Sequence, residues 1–231
     1  MKSQKLLKIN IGSGPIGRSD WINLDWGILP LLSKLPLLIR LLVNLKLLPR
    51  GYNKPWPSNP VLHDCRKKLP FSDSTVDFIY SSHFLEHLYR FQAIELLKDC
   101  KRILKPNGII RIVVPDLAIL AEKYLKNDKV FYNKLLSDSE RKNTISKYLA
   151  DEFVNNFNGY ESWDKSNLIQ KIQRLFIRGH LWMYDYESLK NILITLGFRK
   201  IIRCKPGIGK VPNIKYLDIH KFGSLLIESS K

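Results

Sequence analysis

Two apolar, β-branched runs, TVDFIYSS (75–82) and GIIRIVVPD (108–116), flank FLEHLYRFQAIELLKDCKRILKPNG (84–108), whose apolar residues fall at helical spacing before a Pro-Asn-Gly stop. Strands that read as continuous apolar runs are buried on both faces, and parallel neighbours need a crossover between them. The pattern therefore predicts a strand–helix–strand unit of a doubly wound sheet. Further strands are expected at LLKINIG (6–12), WINLDW (21–26), PVLHD (60–64), RKIIRCKP (199–206) and FGSLLIESS (222–230), with a helix over DYESLKNILITLGF (185–198) closed by Gly197. Residues 117–178 are helical in pattern, charged and strand-free, as a cap inserted into the same domain would be. The expectation is a single α/β domain over 1–231.

Hydrophobic and charged content are ordinary, but the net charge of +17 is not. Such a balance attracts anionic partners: nucleic acid, an acidic membrane surface or a phosphorylated substrate. Cys65, Cys100 and Cys204 form no C-x-x-C pair, which argues against a zinc knuckle or disulfide framework and fits a reducing cytosol. The opening MKSQKLLKINIGSG runs into a strand without an apolar signal segment, so a cytoplasmic location is expected.

Gly12, Gly14 and Gly17 spell G-x-G-x-x-G, the pattern that cradles a dinucleotide pyrophosphate. That use needs a helix beginning at the third glycine and an acidic residue about 20 positions further on. Only Arg18, Ser19 and Asp20 separate Gly17 from WINLDW, and no acid follows Asp25 until Asp64. A single distorted turn is expected instead of a first helix, and the dinucleotide reading fails. S-adenosylmethionine has no phosphates. It needs a glycine turn for its methionine portion, a carboxylate at the second strand tip for its ribose, and an acceptor near its adenine amine. Gly12-Ser13-Gly14, Asp25 and Asp64 stand in that order at the carboxyl ends of predicted strands, where open α/β sheets bind ligands.

INIGSGP, INLDW, HDCRKKLPFSDSTVDFIYSSHFLEHL and RILKPNGIIRIVVPDL resemble the successive motifs of a class I S-adenosylmethionine-dependent methyltransferase. RGHLWMYDYESLKNILITLGF resembles small bacterial members associated with polysaccharide and lipopolysaccharide assembly. The resemblance implies a Rossmann-like seven-stranded sheet with its last strand antiparallel, and methyl transfer as the activity. The cofactor set it implies is Asn10, Gly12, Ser13, Gly14, Asp25, Trp26, Asp64, Cys65, Ser81 and Ser82. Asn10 stands where the family usually has an acid.

Transfer to a hydroxyl calls for a general base, and His83, His87 and His180 stand where one is needed. Each also has a plain structural reading, as an imidazole bonded within a helix or capping a turn. At helical spacing, His83, Glu86 and His87 would share a face, with His180 as a fourth metal-ligating type. The segment resembles the metal-binding stretch of some methyltransferases, which carry Glu in place of His83. Because LEH is common in members without metal, no metal is assigned. In the cap, Tyr160, Trp163, Trp182, Met183 and Tyr184 interleave with Lys165, Lys171, Arg174 and Arg178, a set suited to acceptor recognition or simply to cap core.

GILPLLSKLPLLIRLLVNLKLLPRGYNKPW (27–56) is leucine-rich, lacks acids and is broken by prolines, so it is too interrupted to span a bilayer. Its stretch 28–48 reads either as a peripheral membrane contact or as a helix docked on the protein's own core or a homodimer seam. The resulting expectation is methyl transfer to a small-molecule or glycan acceptor, a hydroxyl of a nucleotide-linked or lipid-linked saccharide. The site would lie in the cytoplasm, at the inner membrane face if 28–48 binds lipid. An RNA methyltransferase is the rival that the charge invites. Against it, YSSH occupies the place of the Asp/Asn-Pro-Pro-aromatic tetrad, and no RNA-binding module is recognised. A non-catalytic cofactor-binding partner is the third reading.

Overall fold

The computed structural model describes residues 6–48, 61–137, 150, 153, 157 and 179–231. Seven strands form one sheet: β1 Lys8–Ile11, β2 Ile22–Asp25, β3 Val61–Leu62, β4 Val76–Ser82, β5 Leu104–Pro115, β6 Arg199–Arg203 and β7 Ser224–Ser230. Their spatial order is β3-β2-β1-β4-β5-β7-β6. β7 runs antiparallel to both β5 and β6, and all other pairings are parallel. This is a Rossmann-like doubly wound sheet with its last strand reversed.

Alternation along the strands splits the core into two layers. Ile79, Ile112 and Ile227 face one side and pack with Leu96, Leu97 and Ile103 of helix α3 (Arg90–Ile103) and Leu189 and Leu193 of helix α6 (Tyr186–Thr195). Tyr80, Val113 and Leu226 face the other, against Trp21, Val211 and the short helix α7 (Ile214–Leu217). The helix expected over 84–108 is a 3-10 turn, Leu85–His87, followed by α3. It ends before the Pro-Asn-Gly stop: Val76 pairs with Leu104 and Phe78 with Ile109, so 105–108 bulge from β5, with Asn107 left-handed at φ 63. Asp185 accepts from Ser188 N at 2.8 Å and starts α6, and Gly197, at φ 77, follows its end.

A buried ion cluster that no sequence pattern marks lies within the sheet. Arg111, in mid-β5, is fully buried; its Nε donates to Asp218 at 3.1 Å and its Nη1 to Glu228 at 3.0 Å. Its Nη2 also donates to Asp218, and its remaining donors reach the carbonyls of Lys205 and Ile208, tying the 205–218 loop to the sheet.

The leucine-rich insertion forms helices α1 (Ile28–Leu32) and α2 (Pro36–Asn44). Leu29, Ile39, Val43 and Leu48 make a small core of their own, with Leu42 half-buried against it. Leu31, Leu35, Leu37, Leu41 and Leu45 remain more than half exposed. Residues 49–56 of the insertion lie outside the described residues, as does most of the expected cap. Of the cap, helices α4 (Leu117–Leu125) and α5 (Lys129–Ser137) are described, and they bury Leu120, Phe131 and Tyr132 with Met183. Among the described residues, no helix is long and apolar enough to cross a membrane.

Candidate active site

The carboxyl ends of β1, β2, β3 and β4 bring the expected cofactor residues to one edge. After β1 the chain makes a 3-10 turn, Gly14–Ile16, and enters β2 without a helix. Gly12 and Gly14 take left-handed backbone, at φ 65 and 53. A Cβ on Gly12 would lie 2.2–2.7 Å from Phe84, whereas one on Gly14 would meet nothing within 4 Å. The turn is thus closed beneath Phe84 and open at Gly14.

Asp25 fixes this turn to β2. Its Oδ2 accepts from Gly14 N and its Oδ1 from Trp26 N, both at 2.7 Å. Burial raises the carboxyl above its ordinary range, and the two N–H donors offset part of that rise. Each oxygen retains a lone pair for a further donor, and the Trp26 ring beside it is 56% exposed. Asp64 follows β3 and is gripped by Arg66, with Nε–Oδ1 2.8 Å and Nη2–Oδ2 2.7 Å, which keeps the carboxyl below the usual range. Burial pushes the Cys65 thiol up to about 12, and the Asp25 and Asp64 carboxylates add to the rise. Ser13 is buried, and its Oγ reaches only the Gly14 carbonyl, at 3.4 Å. Ser81 and Ser82 close β4, and among the described residues the buried Ser81 Oγ has no hydrogen-bond partner.

Asn10 is paired with the neighbouring strand. It is buried and donates to Asn23 Oδ1 at 3.3 Å, while Asn23 Nδ2 donates to the carbonyls of Arg18 (2.8 Å) and Trp21 (3.1 Å). Asn10 therefore positions the loop through Asn23.

The three histidines also come together, though not on one helical face. His83 lies before the 3-10 turn in left-handed backbone (φ 49), an uncommon conformation for a non-glycine residue. Its Nε2 is 3.1 Å from Ser224 Oγ and its Nδ1 is 3.2 Å from Glu86 Oε1. The Glu86 backbone carbonyl accepts from Leu181 N (2.7 Å) and Trp182 N (3.2 Å), which carries His180 to within 5.1 Å of His87, ring centre to centre. His87 Nδ1 is 3.0 Å from the Gly179 carbonyl, so its partner lies across the chain and not within a helix. Burial acts to raise the Glu86 carboxyl, but the neighbouring imidazoles of His83, His87 and His180 outweigh it and bring the group down to about 2. Burial lowers the His180 imidazole to about 4.

Of the cap residues expected to read the acceptor, Met183 and Tyr184 are buried, which makes them core, and Trp182 is exposed with Arg90 over its ring. Tyr160, Trp163, Lys165, Lys171, Arg174 and Arg178 lie outside the described residues.

Residues 48–112 match the family model described as a methyltransferase domain. The chain is 22% identical over 156 residues to a demethylmenaquinone methyltransferase of Lysinibacillus sphaericus; the match takes in 64% of this chain and 60% of that protein. Among solved structures, a SAM-dependent methyltransferase from Archaeoglobus fulgidus is similar at a TM-score of 0.48 and 20% identity, over 98% of this chain and 86% of that one. One from Aquifex aeolicus is similar at 0.42 and 13% identity, over 99% and 83%. The strand order is that of a Rossmann-like doubly wound sheet, and the segment 48–112 of that sheet is similar to a methyltransferase domain.

Proposed function

We propose that the protein is an S-adenosylmethionine-dependent methyltransferase acting on a hydroxyl of a nucleotide-linked or lipid-linked saccharide. One observation carries the reading. The glycine turn, Asp25 and Asp64 stand in sequence along the strand tips, with Gly14 open and bonded to Asp25. The residues present fit that cofactor. Asp25 has lone pairs for two ribose hydroxyls, Trp26 offers a ring to adenine, and the orphaned Ser81 Oγ offers a buried polar contact. When bound, S-adenosylmethionine supplies an electrophilic methyl group on a sulfonium. The chain's own part is to align the acceptor and take its proton. His83 receives the hydroxyl proton at Nε2, exchanging its bond to Ser224, and Glu86 beside Nδ1 stabilises the resulting imidazolium.

The lipid-linked form of the acceptor is supported by α1 and α2. Leu37 and Leu41 share a face of α2, with Leu31, Leu35 and Leu45 beside them, all exposed, and Lys34, Arg40 and Lys46 are exposed among them. A second copy of the chain would bring these cations against their own counterparts, with no acid in 27–48 to neutralise them. An anionic bilayer complements both the leucines and the charge.

Calorimetry with S-adenosylhomocysteine tests cofactor binding, and a hydrolase-coupled turnover screen tests the acceptor. Turnover on a nucleotide-linked or lipid-linked saccharide is expected, falling by about 10²–10⁴ in His83→Gln. No heat with the cofactor product refutes the proposal. Turnover confined to bulk RNA, or to the demethylmenaquinone named for the curated relative, refutes the saccharide assignment. Co-sedimentation with anionic liposomes is expected to vanish in Leu37→Glu/Leu41→Glu; binding retained by that variant refutes the membrane contact.

A further inference from the structure

Glu86, His87 and His180 offer ligand atoms that all lie within 4.8 Å of one another. Glu86 is fully buried, and among the described residues its carboxylate has no partner beyond the His83 imidazole on Oε1. A buried charge with one oxygen unpaired is strongly disfavoured unless a cation compensates it. His83 Nδ1, 3.2 Å from Oε1, supports one side of the carboxylate and leaves Oε2 to the cluster.

The imidazoles are arranged as ligands are. A carbonyl can only accept, so the contact with Gly179 places the proton of neutral His87 on Nδ1 and the lone pair on Nε2. Metal-bound histidines are held this way, with the distal N–H on a carbonyl. His180 likewise has the Phe157 backbone carbonyl beside its ring. The bonds from Leu181 N and Trp182 N to the Glu86 carbonyl hold the segment after His180 against the 3-10 turn. Ligands around one zinc ion, at 2.0–2.1 Å, sit about 3.3 Å apart. Modest side-chain rotations would close the set to that spacing.

The geometry points to a divalent transition-metal site formed by one Glu86 oxygen, His87 Nε2 and a ring nitrogen of His180. Two imidazoles and one carboxylate suit zinc, cobalt or manganese better than calcium or magnesium, which take oxygen ligands. Three protein ligands leave a position open to a substrate oxygen. His83 is then the carboxylate's positioning residue. A hydroxyl bound at the open position would lose its proton more readily. That last role rests on the proposed methyl transfer; cation binding does not.

The test uses the untagged full chain after chelator dialysis. Co²⁺ is titrated with the visible d–d absorption as readout, and Zn²⁺ by calorimetry. One equivalent is expected, with the Co²⁺ bands of a mixed nitrogen and oxygen site. His180→Ala and Glu86→Gln should each weaken binding by at least about 100-fold, while Cys204→Ser leaves it unchanged. Far-UV circular dichroism establishes that the variants fold; if Glu86→Gln does not, His180→Ala decides alone. Absence of the bands, or binding indifferent to His180→Ala, overturns the site. A chain that binds S-adenosylhomocysteine but no cation overturns this inference alone. One that binds the cation but not the cofactor product overturns the methyl-transfer reading alone.

Discussion

Gly12 and Gly14 differ in what surrounds them, and this separates two costs usually merged in one glycine substitution. Both occupy left-handed backbone, so an alanine at either meets the same conformational penalty, about 1–2 kcal/mol. Both alanines also restrict the unfolded chain equally, which cancels between the two variants. Only at Gly12 does the new methyl strike a neighbour: Cβ, Cγ and Cδ2 of Phe84, all within 2.2–2.7 Å. These atoms lie at the root of the side chain, so the ring cannot swing clear without moving its backbone. Overpacking of this kind costs about 1–3 kcal/mol. Gly12→Ala should therefore exceed Gly14→Ala by about 1–3 kcal/mol in urea unfolding at matched m-values. The double variant Gly12→Ala/Phe84→Ala should cost less than the sum of its single changes by a similar amount. Equal costs for the two glycines, or strict additivity with Phe84→Ala, would refute the packing argument. If both effects appear, Phe84 is established as the lid on the closed half of the turn.

Three further outcomes are expected. Asp25→Ala removes the carboxylate that anchors Gly14 and, on the proposed function, holds the ribose; charged hydrogen bonds of about 1.5–3 kcal/mol predict roughly 10-fold to 150-fold weaker S-adenosylhomocysteine binding by calorimetry. Arg111→Leu leaves Asp218 and Glu228 buried without their cation and should cost about 3–5 kcal/mol in urea, with loss of protection in the 205–218 loop by hydrogen exchange. For Cys65 the folded pKa, about 12, lies above that of a free thiol. The stability from its buried neutral form is complete below pH about 8.5 and is lost as pH rises toward the folded value. Cys65→Ala should flatten the decline in stability between about pH 9 and 11, and an unchanged slope in pH-dependent unfolding would refute the assignment.

The parts of the fold legible in the sequence are those whose cause is local. Val76–Ser82 and the run ending at Pro115 are strands because their residues are apolar on both faces, and Asp185 announces α6 because an N-cap needs only its own next turn. The missing first helix was also legible, since too few residues separate Gly17 from β2. The Arg111 cluster was not. Asp218 and Glu228 are 107 and 117 residues away, and an arginine in an apolar strand carries no mark of its partners. The histidines were legible as residue types but not as an arrangement. Helical spacing predicts one face over 83–87. The chain instead turns at His83 and closes a 3-10 turn, and His180 arrives because Leu181 N and Trp182 N find the Glu86 carbonyl.

The third glycine shows how a familiar pattern is satisfied by an unfamiliar cause. In a dinucleotide fold that position lets a helix pack close to its strand. Here no helix follows, and Gly17 has extended backbone, φ −61 and ψ 150, which any residue could adopt. Its constraint is a side chain: a Cβ at Gly17 would lie 2.4 Å from Asn23 Oδ1. Asn23 is the residue that receives Asn10 and holds the carbonyls of Arg18 and Trp21. The uncharged Asn10 is thus matched to its partner: two buried amides satisfy one another across neighbouring strands, whereas a carboxylate there would bring a charge into that pair. Gly17 leaves space for the Asn23 amide, and the amide pair fixes the short link between β1 and β2. The glycine turn can therefore keep its open side toward Asp25 without a helix behind it.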